Sequence, residues 1–203
     1  GKQGGTHSLP QDEINELVIR LAREDKRVVR LKGGDPFIFG RGGEEALALR
    51  DAGISFEVVP GVTAASGIMG HLGLPLTHRG LSNGVRFVTG QCGKDVPLDL
   101  NWRSLADPET TLVVYMGLAK LAEISAALLE AGMPGDLPAL AVSKGTLDDE
   151  EVCVGTLASL VGQVNLAKLE PPVIIVFGKI VSLYPLLGRK GSSLESGSGS
   201  GQI

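Results

Sequence analysis

The sequence predicts an α/β fold made of two α/β domains with a ligand cleft between them. Two observations predict it. Short apolar segments with strand character alternate with amphipathic helical segments, and a glycine-rich stretch follows directly after one of the predicted strands. In an open sheet of this kind, ligands bind beyond the carboxyl ends of the strands, where the glycine-rich stretch would lie.

The elements of residues 1–78 predict the first domain. Pro10 suits a first helical turn, and apolar residues recur after it at helical spacing. Strands alternating with helices favour a mostly parallel sheet here. The expected elements are a helix after Pro10, a strand at 27–31, a helix at 43–52, a strand at 56–59 and a small-residue helix at 63–70.

The elements of residues 79–188 predict a second α/β domain with a mixed sheet. The segment LPLTHRG at 74–80 interrupts the alternating pattern and marks the expected boundary. Residues 189–203 are rich in glycine and serine, so we expect a tail outside the fold. The expected elements are strands at 85–89, 110–117, 139–143, 151–154 and 173–176, and helices at 118–131 and 157–164.

The composition excludes several classes of protein. The 203 residues are 43% hydrophobic, which is sufficient for one large or two small domains with a core. A net charge of −4 gives no general electrostatic basis for binding nucleic acid or an anionic membrane. No apolar run reaches the roughly twenty residues of a membrane span. Cys92 and Cys153 match no metal or redox spacing, so we expect buried thiols in a reducing compartment and no metal.

The glycine-rich stretch, residues 33–43, is called the cradle loop below. Five glycines in eleven residues let the backbone approach a ligand closely. No Gly-Lys-Ser/Thr follows, which argues against a phosphate-binding P-loop, and the G-x-G-x-x-G spacing of dinucleotide sites is absent. A merely structural turn from strand to helix is the alternative. A nucleoside or adenosyl group, contacted by backbone amides and carbonyls, fits the loop better.

Six motifs, in order along the chain, carry a resemblance to a known family. Together they extend over most of the chain, to about Leu187, and resemble the uroporphyrinogen-III C-methyltransferases of the tetrapyrrole methylase family. The motifs are GKQGG at 1–5 with PQDEIN at 10–15, VRLKGGDPFIFGRGGEE at 29–45, VPGVTAA at 59–65, PLTHR at 75–79, VVYMG at 113–117 and KGT at 144–146.

The resemblance implies a methyltransferase with two domains and a cleft between them. It implies S-adenosylmethionine as methyl donor, S-adenosylhomocysteine as product, and transfer to C2 and C7 of uroporphyrinogen III. The product would be precorrin-2, which leads to sirohaem and cobalamin. The family also implies a homodimer, in a bacterial cytoplasm or in a plastid.

The resemblance also assigns roles to individual residues. Lys2 matches a lysine proposed as proton donor in the family. Plain core packing is the alternative for Met116, and an ordinary turn is the alternative for Gly145. The donor-binding positions are Gly33, Gly34, Asp35, Ile38, Thr63, Ala64, Met116 and Gly145.

The acceptor carries many carboxylates, so an acidic protein must gather positive charge at one site. We expect Arg41 and Arg79 to hold carboxylates as bidentate partners. Solvated or helix-capping ion pairs are the alternative, and for Arg30 and Lys32 that alternative has equal weight.

One departure from the family concerns the start of the chain. The family opens with a strand and a Gly-Pro-Gly-Asp loop, and this sequence contains no equivalent. We therefore expect an incomplete first domain with an open sheet edge. Two alternatives remain: a related methylase with another acceptor, and an inert fragment that binds the donor or dimerises.

Overall fold

The computed structural model describes residues 9–91 and 98–188. The chain divides into two compact units, Gly1–Ala64 and Ala65–Ile203. This division lies earlier than the boundary expected between residues 78 and 79. The physical reason is that Met69, Leu72 and Leu74 are buried in the core of the second unit, with exposures of 1%, 2% and 3%.

A five-stranded mixed sheet forms the centre of the second unit, as expected. The strand order is β1-β2-β5-β3-β4. β1 and β2 are parallel, while β5 runs antiparallel to both β2 and β3, and β3 runs antiparallel to β4. The strands are β1 (Gly84–Thr89), β2 (Thr110–Tyr115), β3 (Pro138–Ser143), β4 (Glu151–Thr156) and β5 (Val173–Phe177).

Both faces of this sheet are covered by apolar side chains. Because neighbouring residues of a strand point to opposite faces, Leu112 and Val114 belong to one core cluster and Val113 and Tyr115 to the other. All five residues of β5 are buried, as expected for a central strand. The sheet is therefore the stable scaffold of the second unit.

Helices on the two faces complete the second unit. Residues of α5 and α6 pack in one cluster, and residues of α3 pack in the other. The helices are α3 (Ala64–His71), which begins at the unit boundary, α4 (Trp102–Leu105), α5 (Leu121–Glu130), α6 (Leu160–Ala167) and α7 (Tyr184–Leu187), with 3₁₀ turns at Leu118–Lys120 and Lys179–Leu183.

Two helices form the regular structure of residues 9–63 in the first unit. They are α1 (Gln11–Arg23), which begins after Pro10 as expected, and α2 (Gly42–Asp51). Among residues 9–64, Gly42 is the only buried residue. The described part of this unit therefore has no apolar core of its own.

The strands expected at 27–31 and 56–59 are wrong for this structure. Residues 9–64 contain no strand. The side chains of Val29, Leu31 and Val59 are 79%, 84% and 76% exposed. Strand character in a sequence becomes a strand only when another segment completes the hydrogen-bond ladder, and the described residues supply no such segment here.

The α/β class is nevertheless confirmed by the sheet and helices of the second unit. The cleft between domains stays a prediction. Within residues 9–91 and 98–188, no helix combines the length and the apolar character needed to cross a membrane.

Candidate donor-binding site

Asp35 joins the cradle loop to the segment that leads into α3. Its Oδ1 accepts a hydrogen bond from the Phe37 amide at 2.8 Å, and its Oδ2 accepts one from the Gly61 amide at 3.1 Å. The hydrogen bond from Gly61, followed by those from Phe37 and Ile38, holds the pKa of the Asp35 carboxyl below its ordinary value. Asp35 is therefore ionised at neutral pH, and much of its acceptor capacity serves the loop itself.

Glycine allows these two segments to cross closely. A Cβ atom on Gly61 would lie 2.8 Å from the carbonyl oxygen of Gly34, which is shorter than any ordinary contact. The same applies within the loop, where a Cβ on Gly42 would lie 2.5 Å from the carbonyl oxygen of Pro36. The Gly42 amide donates to that oxygen at 2.9 Å. The structure thus brings Gly34 and Asp35 beside the segment that carries Thr63 and Ala64.

The rest of the cradle loop holds two residues in the left-handed region. Phe39 has φ = 52° and Arg41 has φ = 57°, a conformation that side chains other than glycine rarely adopt. Such backbone strain is concentrated at functional sites.

Ile38, a predicted donor contact, is 36% exposed, and Phe37 beside it is 55% exposed. Gly33 is open, since a Cβ there would meet nothing within 4 Å.

Arg41, at the start of α2, forms a bidentate ion pair with Glu44. Arg41 Nε lies 2.8 Å from Glu44 Oε1, and a terminal nitrogen lies 2.6 Å from Oε2. The hydrogen bond from Arg41 lowers the pKa of the Glu44 carboxyl. Both side chains are about half exposed. The expected role of Arg41 toward a substrate carboxylate stays a prediction, and such a carboxylate would have to replace or join Glu44.

Arg30 and Lys32 have a shared partner that sequence reasoning missed. Both contact the carboxylate of Glu45, at 3.2 Å from Arg30 Nε and 3.0 Å from Lys32 Nζ. The alternatives for Arg30 and Lys32 were contact with a substrate carboxylate and an ion pair within the protein. The structure shows the ion pair. The signal that could have found it is the spacing of two basic side chains at alternate positions, followed by paired acids in the next helix.

In the second unit, Met116 follows β2 in a strained conformation. It has φ = 52° and is 47% exposed, so it is not the plain core residue that was its alternative. Tyr115, directly before it, accepts a hydrogen bond at its Oη from the Ala65 amide of α3 at 3.0 Å. The end of β2 is thereby fixed beside the first turn of α3.

Gly145 packs against α3 in the same unit. A Cβ on Gly145 would lie 2.6 Å from Cγ1 of Ile68. The preceding Lys144 has φ = 50° and pairs with Asp149 at 2.8 Å and Glu170 at 3.1 Å. These ion pairs, first with Asp149 and then with Glu170, raise the pKa of Lys144. Met116 and Gly145 thus both lie in segments that contact α3.

The remaining predicted residues fall outside these clusters. Arg79 is exposed, in a turn closed by a bridge between His78 and Ser82, and its carbonyl oxygen lies 2.8 Å from His78 Nδ1. Lys2 lies outside the described residues. The roles of all these residues stay predictions.

Comparison with known proteins identifies the family. The sequence profile of the tetrapyrrole (corrin/porphyrin) methylases matches residues 1–161. Siroheme synthase 1 of Pectobacterium atrosepticum is 51% identical over 185 residues, which make up 91% of this chain and 38% of that protein. The chain therefore spans well under half the length of this relative.

Solved structures agree with this match. The crystal structure of uroporphyrin-III-C-methyltransferase from Thermus thermophilus is 43% identical, with a TM-score of 0.76, over 92% of this chain and 80% of that chain. A second crystal structure of the Thermus thermophilus enzyme, complexed with S-adenyl homocysteine, is 40% identical, with a TM-score of 0.72, over 85% of this chain and 75% of that chain. This chain belongs to the tetrapyrrole (corrin/porphyrin) methylases.

Proposed function

We propose that this chain carries out S-adenosylmethionine-dependent methylation of uroporphyrinogen III at C2 and C7, giving precorrin-2. The observation that carries the proposal is the cradle loop, crossed and tied by Asp35 to the segment before α3. The proposal is supported by the 40% identity to a uroporphyrin-III C-methyltransferase that was crystallised with S-adenyl homocysteine.

Donor binding would use the open backbone of the first unit together with apolar contacts. Gly33 and Gly34 leave backbone groups accessible beside Thr63 and Ala64, and Ile38 offers a partly exposed apolar side chain. Met116 and Gly145 complete the predicted set, with Met116 adaptable enough to pack on adenine.

The reaction needs little covalent help from the protein. The bound donor would supply an electrophilic methyl group on its sulfonium to the electron-rich pyrrole carbon of the acceptor. The chain would position the two partners in line. The acceptor carbon loses a proton after attack, so the site needs a route for that proton. Lys2 keeps the role of proton donor that the resemblance implies.

The acceptor's carboxylates would be held by arginine side chains. Two nitrogens of the Arg41 guanidinium donate to the two carboxylate oxygens of Glu44. A carboxylate of the acceptor could be held in the same bidentate geometry. Arg79 is exposed, and the proposal assigns a second carboxylate to it. We extend the proposal to a homodimer in the cytoplasm that serves sirohaem and cobalamin synthesis.

Calorimetry with S-adenosylhomocysteine and a methyltransfer assay with uroporphyrinogen III test the proposal. We expect saturable binding, and a product whose mass is increased by two methyl groups. Arg41→Ala and Arg79→Ala should each raise the KM for the tetrapyrrole by about tenfold, with donor affinity intact. Arg50→Ala, in an exposed pair with Asp51, is the matched control. An unchanged KM in both variants would refute the assignment of these arginines.

A second candidate is a chain that binds the donor without turnover. The exposure of Val29, Leu31 and Val59 favours it, because residues 9–64 have no apolar core of their own and would hold the site weakly. Binding of S-adenosylhomocysteine without methyl transfer would support this candidate. A related methylase with another acceptor would instead bind the donor and leave uroporphyrinogen III unchanged.

A further inference from the structure

Glu45 is a junction of the first unit. Its side chain is 12% exposed. Its carboxylate accepts from Gln11 Nε2 at 3.1 Å, from Arg30 Nε at 3.2 Å and from Lys32 Nζ at 3.1 and 3.0 Å. One carboxylate on α2 thus joins α1, the extended segment at 28–32 and α2 itself.

Lys32 extends this junction into the cradle loop. Its ammonium group also donates a hydrogen bond to the carbonyl oxygen of Gly40. Lys32 directly precedes Gly33, so its side chain spans the loop from its first residue to Gly40. The hydrogen bond from the Gly42 amide to Pro36 then closes the same turn from the other side.

Two basic side chains, Arg30 and Lys32, share the single carboxylate of Glu45 at this junction. Burial alone would raise the pKa of Glu45, but the hydrogen bonds from Lys32 and Gln11 and the charges of Lys32 and Arg30 outweigh it, so that pKa lies below its ordinary value. The Lys32 side chain is only 15% exposed. Lys32 is therefore engaged by Glu45 and Gly40, and a substrate carboxylate would have to displace a nearly buried ion pair to reach it.

We propose that Lys32 and Glu45 are positioning residues for the methyl donor. Glu45 holds the Lys32 ammonium, and the ammonium holds the Gly40 carbonyl, so that the cradle loop keeps its shape in the absence of ligand. The inference rests on the proposed function, because it assigns the donor to this loop. A preformed loop binds its ligand more tightly than one that must be ordered at the moment of binding.

The test compares Lys32→Met, Lys32→Arg and Glu45→Gln with the control Arg50→Ala in the full-length protein. Hydrogen exchange of the unliganded protein is the first measurement. We expect faster exchange at the amides of residues 33–42 in Lys32→Met and Glu45→Gln, unchanged exchange in β5, and partial protection in Lys32→Arg, which keeps the charge and the donors.

Donor and acceptor kinetics are the second measurement. Lys32→Met should raise the Kd for S-adenosylhomocysteine by about tenfold while the KM for the tetrapyrrole changes less than about twofold. If Lys32 had a merely structural role, its loss would not raise the Kd for S-adenosylhomocysteine selectively over the KM for the tetrapyrrole. Glu45→Gln carries the same test if Lys32→Met does not fold.

The outcomes separate this inference from the proposed function. If the unaltered protein fails to bind S-adenosylhomocysteine, the donor assignment is overturned, together with the positioning role that rests on it. If it binds, but Lys32→Met and Glu45→Gln leave both loop exchange and donor Kd unchanged, only the positioning role is overturned. A rise in tetrapyrrole KM alone would also overturn it, since Lys32 would then act on the acceptor.

Discussion

Each unit of this chain is stabilised internally by a different kind of interaction. In the second unit, β5 is buried along its whole length, and apolar clusters cover both faces of the sheet. In the first unit, residues 9–64 bury Gly42 alone, and polar contacts centred on Asp35 and Glu45 fix the loops. The accessible backbone that a ligand site needs thus lies in the unit whose described residues bury the least apolar surface.

Truncation of a leucine in each unit gives the largest expected difference. Leu140→Ala, at a fully buried position of β3, should lower the free energy of unfolding of the 203-residue chain by about 2–5 kcal/mol. Leu31→Ala, at a position 84% exposed, should change it by less than about 0.5 kcal/mol. Urea denaturation followed by circular dichroism measures both values. Equal losses in the two variants would contradict the contrast between the units.

A tight glycine contact gives a smaller effect within the well-packed unit. Gly145→Ala should cost about 1–2 kcal/mol of unfolding free energy, because the added methyl would lie 2.6 Å from Ile68 Cγ1 and force α3 or the loop to shift. Gly162→Ala is the matched control. It lies in α6 with no atom within 4 Å of the new methyl, so we expect a gain of about 0.4–1 kcal/mol. An unchanged free energy of unfolding in Gly145→Ala would contradict this prediction, because it would show that the loop shifts without cost.

The smallest effect concerns the titration of Asp35. Its pKa is lowered in the folded protein, so its contribution to stability is complete above the ordinary pKa near 3.8 and is lost as the pH falls through the lowered value. Carboxyl NMR titration should give a midpoint for Asp35 below 3.8. A midpoint at or above that value would mean that the amides of Phe37 and Gly61 do not hold this carboxylate.

The second unit was largely predictable from the sequence, while the first was not. Continuous runs rich in apolar and β-branched residues, such as residues 110–115, are typical of buried strands. Each such run therefore predicts a strand from its own sequence, whichever segment it pairs with. Segments 27–31 and 56–59 have similar strand character but form no ladder here, because pairing depends on a second segment and not on local pattern. Leu74 precedes a proline in a loop-like segment, so its burial in the core of the second unit does not follow from the local pattern. The boundary expected between residues 78 and 79 stays a prediction.

For the site, the sequence identified the cradle loop but not its internal connections. Spacing alone cannot distinguish a lysine that binds substrate from one that holds a carbonyl, and Lys32 does the latter. The oxygens of Asp35 accept from the amides of Phe37 and Gly61, and its expected role toward a ligand stays a prediction. The Lys32–Gly40 contact spans eight positions and the Asp35–Gly61 contact spans 26, so neither follows from the local pattern of the sequence.

The exposed apolar residues at 29 and 31 have a consequence for the behaviour of the chain in solution. Exposed apolar side chains at alternate positions favour association between copies. Arg27, which is exposed beside them, adds a positive charge of the kind that gatekeeper residues use to oppose the stacking of identical segments. Arg30 and Lys32 contribute less to this effect, because both are already paired with Glu45.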